Sequence, residues 1–264
     1  MKYSHLSDYL TNLLSKGELV FSKAFALKAL GKTDAAIRNS IKRQVAAKQI
    51  IPLLRGLYLI VPSEYKQLGF VPPELFIDDL MKEIQAKYYV GLLSAAAFHG
   101  ATHQAIQIFQ VMVNRRLKPI FLGRTRIVFY SNQNLAWMPL QDLKTDRGPL
   151  QVSTPEATAF DLLRYIHQSG NLNQVATVLD ELAGALKSVP LRKTAEHFPV
   201  VYAQRLGYLL DFLGHDQLAA ALIGRVQEQK PVFAPLLRPG KKNKTAEKNN
   251  KWHLIINETI ETDL

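Results

Sequence analysis

Acidic, histidine and glycine residues that could do chemistry are scattered along this chain, and their spacings fit few reactions. Gly31-Lys32-Thr33 resembles the end of a phosphate-binding loop, but the glycine such a loop needs upstream is replaced by Ala26, and Gly31 is needed to end a helix. His99 and His103 stand four apart, yet Gly100 and Thr102 break any helix between them and no acid lies there, as a zinc protease would require. Asp78-Asp79 and Asp180-Glu181 are adjacent acids that face different sides of a helix and read as solvated surface. There is no Gly-x-Ser-x-Gly nucleophile elbow. The absence of cysteine excludes disulfides, thiolate metal sites and cysteine nucleophiles together. No metal, cofactor or catalytic residue is expected.

A basic helix offers a different chemistry, recognition of a polyanion. From Asp34 to about Lys48, Ile37, Ile41 and Val45 repeat every four residues as a buried ridge, which leaves Ala35, Asn39, Lys42, Arg43 and Ala46 on the opposite face. That outer face is small, amide and basic, with no acid. Small residues permit close approach to a groove floor, Asn can pair with adenine and Arg with guanine. Arg38 on the flank, and Lys32 and Thr33 at the helix entrance, are placed for phosphate, where contacts set register rather than sequence preference. A merely solvated face is the competing reading of any single basic helix.

The flanking elements must hold that helix. Leu6, Tyr9, Leu10, Leu13 and Leu14 form one apolar stripe on a first helix that Gly17 ends. Ser22 caps a second, with Phe25, Ala26, Ala29 and Leu30 inward and Gly31 as its stop. Thr33 caps the third after a short turn, which is helix-turn-helix spacing. Ile50 to Leu54 and Leu57 to Val61 then read as two strands around Arg55-Gly56, so that Arg55 sits at the tip of a wing, near phosphate or the minor groove. Residues 1–62 are therefore read as a winged-helix DNA-binding domain.

Charge agrees with this placement. The 264 residues carry 33 Lys and Arg against 22 Asp and Glu, a formal +11, of which residues 1–62 hold +7 from 10 basic and 3 acidic side chains. At 47% hydrophobic and 21% charged, the chain can bury a core. A polyanion is implied, nucleic acid or an anionic membrane. The most apolar stretch, Tyr88 to Phe98, is far shorter than the roughly 20 residues that span a bilayer. The first residues lead into polar sequence rather than a signal peptide, so a cytoplasmic protein without membrane contact is expected.

Pro72-Pro73 marks a linker over 63–73, and 74–264 reads as a larger α+β domain. Helices are expected from Glu74 to about Ala86 and from Val90 to His99. Strands are expected at 106–114, 120–121, 126–130 and 252–256, and helical patterns through much of 156–229. Thr154 can cap a helix that Pro155 and Glu156 begin, with Phe160, Leu162, Leu163 and Ile166 inward. Asp161 reads as an internal acid tying that helix to a neighbour, with catalysis the less favoured role. Arg115, Arg116, Lys118, Arg124 and Arg126 put five cations and no acid in twelve residues, either a solvated loop or an additional nucleic-acid contact that extends a DNA footprint or holds an RNA backbone. A second cluster, Arg238, Lys241, Lys242, Lys244, Lys248 and Lys251, reads as a loop whose charge aids encounter.

Two stretches together resemble a known family. Ala29-Leu30-Gly31-Lys32-Thr33, Arg38-Asn39-Ser40-Ile41-Lys42-Arg43 and Arg55-Gly56-Leu57-Tyr58, followed by Thr154-Pro155-Glu156-Ala157-Thr158-Ala159-Phe160-Asp161-Leu162-Leu163, are similar to the AbiEi-type antitoxins of bacterial type IV toxin-antitoxin systems. The resemblance implies an N-terminal winged helix-turn-helix and a C-terminal α+β antitoxin domain. It implies autorepression through binding to double-stranded operator repeats, and opposition to a nucleotidyltransferase-type toxin without a stable complex. A homodimer or cooperative binding on DNA is left open. The chain lacks the Gly-Ser and Asp-x-Asp pattern of such a toxin, which fits the antitoxin side. Two alternatives remain: a stand-alone winged-helix regulator whose second domain binds a ligand or partner, and a nucleic-acid-processing enzyme using Glu156 and Asp161.

Overall fold

The computed structural model describes residues 3–67, 70–101, 107–123, 125–133, 135–237 and 246–261. Apolar periodicity and capping account for its beginning. Helix α1 (Leu6–Ser15) buries Leu6, Tyr9, Leu10 and Leu13 of the expected stripe, with Leu14 partly buried against the core. Strand β1 (Val20–Ser22) follows, then α2 (Lys23–Leu30), capped by the Ser22 hydroxyl accepting from Phe25 N–H and closed by Gly31 at φ +60°, where a side chain would be strained. Helix α3 (Asp34–Ala46) starts under the Thr33 cap, and strands β2 (Ile50–Leu54) and β3 (Leu57–Ile60) join at Arg55-Gly56, with Gly56 at φ +78°. β1 pairs with β3 antiparallel, Phe21 opposite Tyr58, giving the order β1-β3-β2. Ile37 and Ile41 of α3 meet Leu10, Phe21, Leu30, Ile50 and Ile60 in one core, while Val45 is partly buried against it.

Short 3-10 turns at Ser63–Tyr65 and Pro73–Leu75 lead to α4 (Ile77–Glu83), shorter than the helix expected over 74–86. The Pro73 turn delays its start and Gln85, at φ +52°, ends it. Tyr88–Val90 is strand β4 rather than the beginning of the next helix, so α5 covers only Leu92–Phe98. Strands β5 (Ile108–Val113), β6 (Ile120–Leu122) and β7 (Thr125–Ser131) fall near their expected places; β8 (Leu140–Thr145) and β9 (Gly148–Ser153) carry too little alternation to be read from sequence. The six form a mixed sheet in the order β6-β7-β5-β4-β9-β8, with β5 and β7 parallel and β6 antiparallel to β7.

Five helices follow: α6 (Pro155–Arg164), α7 (Leu172–Ala183), α8 (Ser188–Ala195), α9 (Val200–Phe212) and α10 (Asp216–Gln229). A small sheet of β10 (Ala234–Pro235), β11 (Glu247–Asn249) and β12 (Leu254–Ile256) ends the described chain, in the order β10-β12-β11. Trp252 is fully buried against α9 at Gly207, where an added Cβ would lie 2.1 Å from the indole ring, and its Nε1–H donates to Asp211 at 2.6 Å. Glycine is required there by close approach. The fold is mixed α+β, as expected.

Two compact units result. One comprises Met1–Tyr89, Gln107–Leu135 and Asp142–Gln151; the other comprises Val90–Ile106, Ala136–Gln141 and Val152–Leu264. Within the first, Asp79 accepts the Leu19 N–H at 2.9 Å and Arg147 pairs with Glu64 at 3.0 Å. Asp79 is thus no solvated acid, and burial pushes its carboxyl above the usual range. Its neighbour Asp78 accepts from the Tyr88 hydroxyl at 3.0 Å and pairs with Lys82. Asp180, also expected at the surface, meets His215 Nε2 at 2.7 Å in the second unit.

Candidate nucleic-acid interface

Helix α3 owes its position to its two ends and one face. Thr33 Oγ1 accepts the Ala36 N–H at 3.3 Å, and three residues, Gly31-Lys32-Thr33, turn the chain from α2. With Ile37 and Ile41 buried, Ala35, Arg38, Asn39, Lys42, Arg43 and Ala46 all remain exposed. Arg55 is exposed at the β2–β3 turn. Asn39, Lys42 and Arg55 make no side-chain hydrogen bond or ion pair among the described residues, and Arg43 reaches only Ser40 Oγ, at 3.3 Å. An exposed face with so few internal bonds can take up an anionic ligand at little internal cost.

The remaining residues of the expected site are already engaged. Asp34, in the first turn of α3, accepts Lys23 Nζ at 2.6 Å and Arg38 Nε at 2.9 Å, joining the start of α2 to α3. The hydrogen bond from Lys23 holds the Asp34 carboxyl below its ordinary value. Lys32 Nζ donates to the Ser4 carbonyl at 2.5 Å, stapling the inter-helix turn to the approach of α1, and Thr33 spends its hydroxyl on the cap. Arg38 and Lys32 are therefore tethered, each keeping further N–H donors for a phosphate: the terminal guanidinium nitrogens of Arg38 and the other ammonium hydrogens of Lys32. The Lys23–Asp34 pair was missed in the sequence, although a lysine opening α2 and an acid opening α3 across a three-residue turn are its signal.

The second basic segment lies on the edge of the large sheet. Arg115, Arg116, Lys118 and Arg126 are exposed, and Arg115 donates to the Ile84 carbonyl at 3.0 Å. Arg124 is outside the described residues, as are His103, Arg238, Lys241, Lys242 and Lys244. Of the later cluster, Lys248 lies over the Phe233 ring and Lys251 pairs with Asp211, so its described members are anchored. Phe121, 69% exposed beneath the Arg126 guanidinium, was not singled out by sequence; an aromatic between the inward Ile120 and Leu122 of a strand is the outward position of that strand.

The Thr154 motif forms a closed structure instead. Thr154 caps α6 through Ala157 N–H at 3.3 Å, and every residue from Glu156 to Leu163 is buried. Glu156 Oε1 accepts Lys187 N–H at 3.1 Å, tying α6 to the approach of α8. Asp161 is wholly inside, and Phe160 stacks on Phe198 at 4.7 Å. His99 Nε2 donates to the Ser153 carbonyl at 2.7 Å, and its burial lowers its pKa. Among the described residues no three His, Asp or Glu side chains gather to hold a metal ion.

Residues 89–212 match the family model described as the AbiEi antitoxin C-terminal domain. The AbiEi match takes in the large sheet from β4 onward and helices α5 to α9, including the Thr154 motif. Among solved structures, RV2827C protein from Mycobacterium tuberculosis is similar over 98% of this chain and 91% of that one, at 16% identity and TM-score 0.65, which is a likeness of fold. An antigenic nucleotidyltransferase-like protein from Paracoccidioides brasiliensis covers 58% of this chain and 85% of its own at 8% identity, and its TM-score of 0.32 carries no argument. Comparison with curated proteins gives no match. Among the described residues no helix is long and apolar enough to cross a membrane.

Proposed function

We propose that this AbiEi-type chain is a DNA-binding antitoxin that represses its own operon. The observation that carries the reading is the outer face of α3, where Asn39, Lys42 and Arg43 stand exposed between Ala35 and Ala46, with Arg55 exposed on the adjoining hairpin. In this reading residues 1–62 form a winged helix, which the order α1-β1-α2-α3-β2-β3 around one core supports. In this reading α3 enters the major groove of operator repeats. Asn39 and Arg43 meet base edges, while Lys32, Thr33, Arg38, Lys42 and Arg55 meet phosphate.

Residues 63–73 connect to an antitoxin domain over 74–264 that opposes a nucleotidyltransferase-type toxin in the cytoplasm, without a stable complex and without catalysis of its own. Support for a non-catalytic domain comes from Glu156 and Asp161, which sit inside the helical packing instead of lining a cleft.

Gel shifts with the fragment upstream of the reading frame test the DNA half. Arg43→Ala should cost about 1–3 kcal/mol and relax preference at one base position, whereas Lys42→Ala should weaken all sequences alike and lower the salt slope by about 1. Absence of binding at low salt rejects it. Co-expression of the toxin with the full chain tests the other half, growth being restored if the reading holds.

A further inference from the structure

One exposed row of the large sheet has a composition that duplex binding does not explain. Phe121 of β6 is opposite Arg126 of β7, and Arg126 is opposite Ile108 of β5, so the three side chains share one face at one level of the sheet. All three are exposed, Phe121 at 69% and Ile108 at 42%. The Arg126 guanidinium lies 5.3 Å from the Phe121 ring centroid, so the two planar groups are already arranged as a pair. β6 is an edge strand, so the ring stands at the border of the sheet. The connection from β5 returns along that edge from the level of Ser131 to that of Ile127 and carries exposed Arg116 and Lys118. From 115 to 126 the sequence has no acid.

We propose that Phe121, Arg126 and Ile108 form a base-stacking site for single-stranded nucleic acid, with Arg116 and Lys118 holding its backbone. Cations alone would suit any polyanion. An exposed ring paired with a guanidinium is a platform suited to an open base face, which a duplex hides within its own stack and a single strand presents. Outward aromatic side chains on a sheet, flanked by positive charge, meet that need for any base, because every base has a π-face. Four-residue spacing along the edge gives roughly 13 Å of strand for the backbone to follow, about two nucleotides. The site is distinct from α3 and does not rest on the operator reading.

Fluorescence anisotropy on the full chain tests this with three labelled probes: oligo(U), oligo(dT) and a duplex of the same length. Phe121→Ala, at an exposed position that threatens no core, should weaken single-strand binding by roughly 5- to 100-fold and change duplex binding less than about twofold. Arg43→Ala should do the reverse. Phe121→Trp should keep single-strand binding and show quenched emission on saturation, as a stacked indole does. Whichever of oligo(U) or oligo(dT) binds more tightly identifies the natural strand. The proposal is overturned by absence of single-strand binding, by binding that Phe121→Ala leaves intact, or by equal losses on single strand and duplex. If Arg43→Ala leaves the duplex untouched while Phe121→Ala removes the single strand, the α3 reading fails and this one stands.

Discussion

Helices α3 and α6 begin alike and end as opposites. Each opens on a threonine whose hydroxyl accepts the N–H three residues on, at 3.3 Å in both, and each has an acid in its first turn, Asp34 in one and Glu156 in the other. Beyond that turn, α3 buries only Ile37 and Ile41, whereas α6 buries every residue from Glu156 to Leu163. The polar groups of α6 are consumed internally: Glu156 by the Lys187 N–H, Thr158 by Ser153 Oγ at 2.7 Å. On α3, Asn39 and Lys42 face water without an internal partner among the described residues, and Asp34 and Arg38 pair at the surface. Capping chemistry thus decides where a helix starts, and the number of its faces that are covered decides whether its side chains remain available to a ligand.

The widest gap between the two should appear in stability. Phe160→Ala deletes a fully buried ring stacked on Phe198 and should cost about 3–5 kcal/mol in urea denaturation, against less than about 0.5 kcal/mol for exposed Arg43→Ala. Comparable costs would break the contrast. The caps sharpen it further. Thr154→Ala should cost about 2 kcal/mol, because Ala157 is wholly buried and water cannot replace the lost acceptor. Thr33→Ala, at an exposed end, should cost only about 0.5 kcal/mol.

Charge comes next in size. Asp34→Asn releases Arg38 and Lys23 and removes an anion beside the α3 face. Duplex affinity should rise by up to about tenfold at 0.1 M salt and the gain should vanish at high salt, read by anisotropy with a non-operator probe. A loss of affinity would mean that Asp34 instead holds Arg38 in its binding position.

The smallest effect is titration of His99 beside α6. Burial lowers its pKa in the folded state, outweighing the opposing pull of the Ser153 carbonyl and the Glu156 charge. The unfolded chain therefore takes up a proton first as pH falls below about 6.5. Stability is full above that value and declines towards the lower folded pKa. His99→Gln should flatten this part of the pH–stability curve, whereas an unchanged slope would assign it to other groups.

Legibility from sequence followed the range of the interactions. Ser22, Thr33 and Thr154 were readable as caps because the acceptor and its N–H lie three residues apart. The Ile37–Ile41 ridge and the Arg55-Gly56 turn were readable for the same reason. Val20–Ser22 was not readable as a strand, since three residues before a helix acquire that identity only by pairing with Leu57–Leu59. Asp79 looked solvated until its partner, the Leu19 N–H sixty residues away, came into view. Arg38 and Lys32 looked free for phosphate, and their tethers to Asp34 and to the Ser4 carbonyl emerged only with the helices in place.

By itself, the sequence determined the capped helix starts at Ser22, Thr33 and Thr154, most of each apolar stripe and where positive charge concentrates, because these follow from neighbours within a turn or two; Phe25, expected inward on α2, is instead exposed. Only the tertiary structure decided which charges stay free, which acids are buried and that Phe121 meets Arg126 on an open face. Desolvation, pairing and exposure depend on partners distant in sequence, and local pattern carries no record of them.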